Sequence, residues 1–382
     1  MIDYLIVGAG FSGLTAAEQL CRKYGKTCLV VDKRAHIGGN CYDCKDEHGV
    51  LIHPYGPHYF RTNSDEVFQY LSQFTRWIPG NYHVLAYAKD QFWSFPVNLE
   101  TFEQYLGRPS STEEMEAWLK EHCESFDDIQ NSEQAVLSRF GREFYTLFFE
   151  GYTLKQWQKH PRELAASVCG RIPLRTVRDG RYVSETYQVL PADGYTRLFE
   201  NMVDACGTRL QLHLNTDYRD VVSSTPHRHL IFTGPIDTYF DYQHGPLPYR
   251  TLRFEREFHS GDHLPGNLHL GIPEGFIQPS VQVNYPGEEP WTRCVEAKHI
   301  THQRIAGSTL IREFPETYEV GKEPYYPIPF PESREIYTQY KQLAEKLDQV
   351  TFMGRLGTYA YLNMDQVVTS ALRKSKRLIE GM

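Results

Sequence analysis

The clearest chemical signature in the sequence is three glycines and an aspartate near its start. Gly8, Gly10 and Gly13 stand between an apolar run, Tyr4 to Val7, and an amphipathic segment, Leu14 to Tyr24; a second apolar run, Cys28 to Val31, ends in Asp32. The pattern predicts a βαβ unit in which Gly8 makes the tight turn, Gly10 lets a pyrophosphate approach the backbone and Gly13 lets the helix close on the strand, with Phe11 and Ser12 in the same turn. Free amide N–H groups at the helix start would face the ligand, and the dipole behind them is worth roughly 0.3–1 kcal/mol per anionic group in exposed cases. Asp32 follows Gly13 by 19 residues, where a carboxylate can accept hydrogen bonds from a ribose diol.

The kind of dinucleotide is suggested by Lys33 to Asn40, KRAHIGGN. A second glycine pair, Gly38 and Gly39, so soon after the ribose-binding acid implies a backbone loop lying along an extended cofactor. Flavoproteins of the amine-oxidase type carry a similar pair, so FAD is expected over NAD, with Lys33, Gly38, Gly39 and Asn40 in its cradle.

These residues need elements to hold them. Val50 to Phe60, VLIHPYGPHYF, is broken by Pro54, Gly56 and Pro57 and reads as a strand and a rigid turn carrying His58. Asn63 or Ser64 caps a short helix, and Val84 to Phe95 reads as a hairpin with Lys89 and Asp90 at its tip. A helical block follows, with Ser111 and Ser132 as caps, an apolar stripe of Val136, Phe140, Phe144, Leu147 and Phe148, and Gly151 expected to halt the last helix. From Arg171 to about Pro329 the period changes to two, as in Leu210, Leu212 and Leu214, then Leu252 and Phe254, then Val281 and Val283. This predicts a largely antiparallel sheet, while His229 to Gly234 is apolar enough to return to the nucleotide-binding sheet. The fold class is thus α/β: a discontinuous Rossmann-type FAD-binding domain (1–80, 205–235 and 345–382), a helical domain (98–165) and an antiparallel β-sheet substrate domain (81–97, 171–204 and 236–344).

Composition narrows the partners. A formal net charge of −8 argues against nucleic acid or an acidic membrane, so an anionic ligand would need arginines placed locally. Eight cysteines are scattered, and the lone CxxC pair, Cys41 and Cys44, has no second half at zinc spacing, so no metal site is expected and the thiols are read as reduced. No apolar run approaches a membrane span, and a cytoplasmic protein is expected. The 26 tyrosines offer stacking faces and hydroxyls to a sugar nucleotide.

Several motifs together point to a family. GAGFSG, HIGGN, YGPH, GYTLKQW, the RIP at Arg171, DGRYVSETYQVLPADGYT, the WTR ending at Arg293, EPYYPI and GRLGTYAYLNMDQV resemble, in order and spacing, the bacterial UDP-galactopyranose mutases over almost the whole chain. The resemblance implies a flavoenzyme that interconverts the pyranose and furanose rings of a nucleotide-linked galactose with no net redox change. Reduced flavin would act through N5, a nucleophile that the oxidised form lacks, forming a covalent adduct with the anomeric carbon as the nucleotide departs. NAD(P)H or another reductant would supply the electrons, and a homodimer is expected.

By the same resemblance Arg171, on a mobile loop, and Arg293, on the sheet, would hold the substrate diphosphate, and His58 would lie at the flavin ring. Tyr182, Tyr326 and Tyr361 would donate hydroxyls to the diphosphate. Phe148 and Tyr152 would sandwich the uracil, Trp157 would sit beside the sugar, and Asn284 would join the substrate set. Arg355 would lie by the cofactor diphosphate and Met364 by the flavin. Arg61 stands where many members have histidine, facing the sugar; Asn363 replaces a common aspartate and Ala360 a common arginine, and Trp291 replaces a tyrosine, with a packing role expected. The Arg61 change leaves open UDP-N-acetylgalactosamine or a deoxyhexose on another nucleotide as substrate. An amine-oxidase-type oxidoreductase is the alternative from a different class; it predicts an apolar tunnel in place of the arginines and tyrosines.

Overall fold

The structure, a computed structural model, describes residues 1–80, 82–328 and 330–381. Strand Ile2–Val7 lies at the centre of a five-stranded parallel sheet ordered Leu210–His213, Cys28–Val31, Ile2–Val7, His227–Phe232, Val350–Phe352. Val7 is level with Val31 on one side and Phe232 on the other, so the strands end together where parallel sheets take their ligands. Tyr4, Ile6 and Val30 pack under the helices Phe11–Glu18, Tyr195–Cys206 and Met364–Glu380, whereas Leu5, Leu29 and Leu230 face the opposite layer.

A second, seven-stranded sheet is ordered Tyr326–Pro327, Tyr249–His259, Ser308–Thr317, Arg293–Val295, Gln282–Asn284, Val84–Ala88, Gln91–Phe95. It is antiparallel except where Gln282–Asn284 runs parallel to Val84–Ala88. The hairpin turns at Lys89 and Asp90, both at positive φ, as its sequence suggested. Helices between Leu99 and Trp157 cover its far end, with Phe140, Phe144 and Phe148 buried against Trp93 and Phe95.

Several local expectations are corrected. Gly151 does not halt a helix: Glu150–Trp157 runs through it, and a Cβ there would lie 2.2 Å from the Pro286 carbonyl oxygen. The glycine serves close packing of helix on loop. Asn131, not Ser132, caps the Ser132–Phe144 helix by accepting from Gln134 N, while Ser132 Oγ donates to the Ala165 carbonyl at 2.6 Å. The alternation of Leu210 and Leu212 belongs to an outer strand of the parallel sheet, paired with Cys28–Val31; an edge strand wetted on one face carries the same period as an antiparallel one. Within 171–204, the helix Tyr195–Cys206 packs on the cofactor side, its Phe199 ring 4.6 Å from Phe11. Within 236–344, Tyr340 of the helix Pro331–Ala344 is buried with Phe232 and Phe352 of the parallel sheet.

Candidate active site

At the carboxyl end of the parallel sheet three glycine-bearing loops meet. Gly8 turns at φ +104°, and a Cβ on Gly13 would lie 1.9 Å from the Gly8 carbonyl oxygen, so helix and strand touch backbone to backbone. The Gly38–Gly39 loop closes from the other side, and a Cβ on Gly10 would meet Gly39 Cα at 3.5 Å. A third loop brings Gly354 against Ser12, whose hydroxyl is buried without a partner among the described residues. Asp32 accepts from Ala9 N at 2.8 Å and Arg34 N at 2.9 Å, which fixes the carboxylate with lone pairs to spare. A cradle of backbone with an orphaned hydroxyl and a fixed acid fits a dinucleotide with its pyrophosphate on the helix start. Lys33 turns away, its side chain 63% exposed towards Glu323, and Asn40 Oδ1 accepts from Arg34 Nη2. Phe11 contributes backbone only, since its ring is core.

A cavity of about 530 Å³ lies beside the cradle, lined by Arg355, which follows Gly354, and by Met364, which Cys41 Sγ touches at 3.5 Å. It brings together His58, Arg61, Phe148, Tyr152, Trp157, Arg171, Tyr182, Asn284, Arg293, Tyr326, Arg355, Tyr361, Asn363 and Met364, which the chain scatters over three hundred positions. Tyr326 and Tyr361 stack at 5.4 Å with 17° between planes. The Arg355 guanidinium lies 5.1 Å from the Tyr326 ring and 5.3 Å from Tyr361, and Arg171 reaches Tyr361 at 5.2 Å. Desolvation opposes ionisation of Tyr361, but the nearby Arg171, Arg355 and Arg293 outweigh it and hold the phenol below its usual range. Tyr326 is instead pushed up to about 12 by burial and stays a donor. Arg355 spends its fork on the Leu362 and Tyr325 carbonyls, bracing the tyrosine pair, and it directly follows Gly354 of the cradle's third loop.

On the sheet wall Arg293 faces the buried Glu313, Nε to Oε1 3.1 Å. Arg61 pairs with Glu185 at 2.6 Å. Asn284 Oδ1 accepts from Gln282 Nε2 at 2.8 Å, and Gln282 in turn accepts from the Tyr82 hydroxyl, so the Asn284 amide is left with its N–H₂ to donate. His58 shares its Nδ1 with the Gly56 carbonyl at 2.8 Å, and burial, then the neighbouring His53, pushes its imidazole down to about 3. A neutral ring donating from Nδ1 leaves Nε2 as an acceptor. Phe148 and Tyr152 lie one helical turn apart, side by side rather than face to face. Phe148 is 3% exposed and packed on Trp93, Phe95 and Phe144, so the stacking surface the cavity offers is that of Tyr152. Asn363 caps the last helix, its N–H donating to Gln366 Oε1 at 2.9 Å, and also lines the cavity.

The family model for UDP-galactopyranose mutase matches residues 147–361, and one for an NAD(P)-binding Rossmann-like domain matches 6–74. The dTDP-fucopyranose mutase of Escherichia coli is 35% identical over 388 residues, covering all of this chain and 99% of its own. The probable UDP-galactopyranose mutase of Klebsiella pneumoniae is 35% identical over 387 residues, covering 100% and 95%. This chain belongs to the UDP-galactopyranose mutase family. It is accordingly an isomerase-class enzyme, as its motifs implied. A crystal structure of reduced UDP-galactopyranose mutase superposes with a TM-score of 0.76 at 14% identity, covering all of this chain and 96% of that one. A putrescine oxidase double mutant superposes with a TM-score of 0.58 at 14% identity, covering 99% of each chain; both likenesses show the fold alone.

Within this mutase-family cavity the sequence reading missed Tyr59, Tyr82, Gln156, Arg250 and Gln282, which all line it, and the carboxylates Glu185 and Glu313 that hold its arginines. Arg250 carried a visible signal: it shares a strand face with Leu252 and Phe254, an unusual place for a charge. Among the described residues no helix is long and apolar enough to cross a membrane.

Proposed function

We propose that this enzyme interconverts the pyranose and furanose forms of a galactose-type hexose carried on a pyrimidine nucleoside diphosphate, with UDP-galactose as the first candidate, using reduced FAD. One observation carries the reading: a single cavity gathers Arg171, Arg293 and Arg355 with Tyr152, Tyr182, Tyr326 and Tyr361, a donor set suited to a diphosphate rather than to the apolar tunnel an amine oxidase needs.

Reduced FAD in the cradle would supply, through N5, the nucleophile that forms a covalent bond to the anomeric carbon. The protein's part is to bind, orient and keep water out. Arg171 at the mouth and Arg293 on the wall hold the departing diphosphate, with hydroxyls of Tyr182, Tyr326 and Tyr361 around it. Tyr152 offers a stacking face to the base, and Trp157 sits beside the sugar. Asn284 donates to a hexose oxygen, and His58, neutral throughout the working range, offers Nε2 as an acceptor at the flavin end. NAD(P)H or a comparable donor would keep the cofactor reduced, in a cytoplasmic homodimer.

A second reading, a dTDP-linked 6-deoxyhexose as substrate, is favoured by the Arg61–Glu185 pair and by the name of the E. coli relative. Incubating the yellow protein with UDP-galactofuranose and, separately, dTDP-fucofuranose, with and without dithionite, tests both. Pyranose product formed only after reduction is the expected outcome, and the faster substrate identifies the nucleotide; peroxide or oxidised sugar would overturn the mutase reading.

A further inference from the structure

Five arginines line the cavity, and four have a carboxylate, carbonyl or phenol of the protein beside the guanidinium. Arg293 faces the Glu313 carboxylate at 3.1 Å, although Nε and Oε1 are not aligned as a hydrogen bond, and Arg61 faces Glu185. Arg355 donates to two backbone carbonyls, and Arg171 lies on Tyr361. Arg250 has none of this. Its side chain lines the cavity, the residue is 3% exposed, and neither Nε nor Nη2 finds an acceptor among the described residues. The residue is placed firmly: Arg250 is the second residue of the long strand Tyr249–His259, opposite Tyr326 on one side and Thr317 on the other, and its carbonyl accepts from Tyr325 N. Desolvation alone pulls its pKa down, with no neighbouring anion to raise it.

A buried guanidinium without a counterion or hydrogen-bond acceptor opposes folding. A protein keeps such a group where a ligand brings the missing anion. We infer that Arg250 is a ligand-binding cation of this cavity, whose partner is an anionic atom supplied by what binds there: a phosphate oxygen of the nucleotide sugar or the ring of the reduced flavin. The inference rests on the proposed reading of the cavity. Tyr326, its cross-strand neighbour, stands in the arginine–tyrosine cluster, so either source lies within the space Arg250 faces.

The test uses the full chain with Arg250→Met and Arg250→Lys. Because Nε and Nη2 bond to no group among the described residues, Arg250→Met should melt, ligand-free, at or above the wild-type temperature; a structural arginine would lower it. Fluorescence titration with UDP and redox titration of the bound flavin then separate the sources. At least tenfold weaker UDP binding with an unchanged flavin potential supports the inference with phosphate as the anion. At least a tenfold loss of preference for the reduced flavin, about 30 mV for two electrons, with UDP binding unchanged, supports it with the flavin as the anion. Arg250→Lys should retain part of either effect. A lower ligand-free melting temperature, failure of Arg250→Met to fold, or unchanged UDP affinity and potential would each overturn it. Wild-type protein that takes up neither UDP nor FAD would sink the functional reading instead.

Discussion

Arg293 and Glu313 face each other across adjacent strands, Nε to Oε1 3.1 Å, with side chains 18% and 3% exposed. Burial pushes the Glu313 carboxyl up while Arg293 pulls it back. Removing one partner strands the other charge in the wall, which costs on the order of 3 kcal/mol, more than the pair itself is worth. Glu313→Gln should therefore destabilise the protein to urea by about that much, and Arg293→Met in the same chain should restore most of it. Additive losses in that double-mutant cycle would show that the two side chains are independent.

If Arg171 and Arg293 hold the substrate's diphosphate, their loss should be felt in turnover and not in flavin. A charge-assisted hydrogen bond contributes roughly 1.5–3 kcal/mol, so Arg171→Ala should lower kcat/KM by about tenfold to a hundredfold. Flavin absorbance per protein should stay at the wild-type level, because Arg171 lies at the mouth and the cradle is built from other loops. Parallel loss of both would contradict the assignment.

Gly10 and Gly39 come within van der Waals contact across the cradle, yet Gly10 sits at φ −92°, a backbone any residue adopts. Gly10→Ala adds a methyl in ordinary contact with the facing Gly38–Gly39 loop, 3.5 Å from Gly39 Cα, narrowing the cradle without straining the turn. Flavin occupancy should fall while the ligand-free melting temperature moves by no more than a degree or two. A matched fall in ligand-free stability would assign Gly10 to the fold rather than to the cradle.

Arg61 and Glu185 bond at 2.6 Å with side chains 33% and 21% exposed. Such a half-exposed pair contributes only about 0–1 kcal/mol. Arg61→His, which installs the side chain expected from the family pattern, should leave stability nearly unchanged and shift the ratio of kcat/KM between UDP-galactofuranose and dTDP-fucofuranose. An unchanged ratio would remove Arg61 from the specificity of the hexose end.

The sequence was most legible where chemistry and local structure coincide. Gly8, Gly10, Gly13 and Asp32 declare a turn, a helix start and a strand end within one short stretch, so cradle and first βαβ unit could be read together. The cavity arginines and tyrosines were legible only through the motifs around them; their convergence depends on long-range pairings such as Arg250 with Tyr326. What escaped depends on partners distant in sequence. Gly151 looks like a helix stop until Pro286 is found against it, and Leu210 and Leu212 alternate identically at the edge of either kind of sheet. Glu313 is one of many acidic residues until the strand register sets it opposite Arg293.

His53 is 3% exposed beneath the His58 turn, and its Nδ1 accepts from His58 N at 3.2 Å. Burial holds its imidazole down, to about 4, below the ~6.5 of an unfolded histidine. The unfolded chain therefore binds the proton more readily than the folded one between these values. The stability tied to the neutral ring is complete above pH ~6.5 and is lost as the pH falls towards the folded value, at about 1.4 kcal/mol per pH unit. Urea unfolding followed from pH 7.5 to 5 should show this decline, with His58, held neutral in the same way, adding to it. His53→Asn, which keeps a short acceptor but no titrating group, should flatten the slope by close to one proton. A slope identical to wild type would mean that His53 takes up its proton as readily in the folded protein as in the unfolded one, and that the turn carrying His58 is held in some other way.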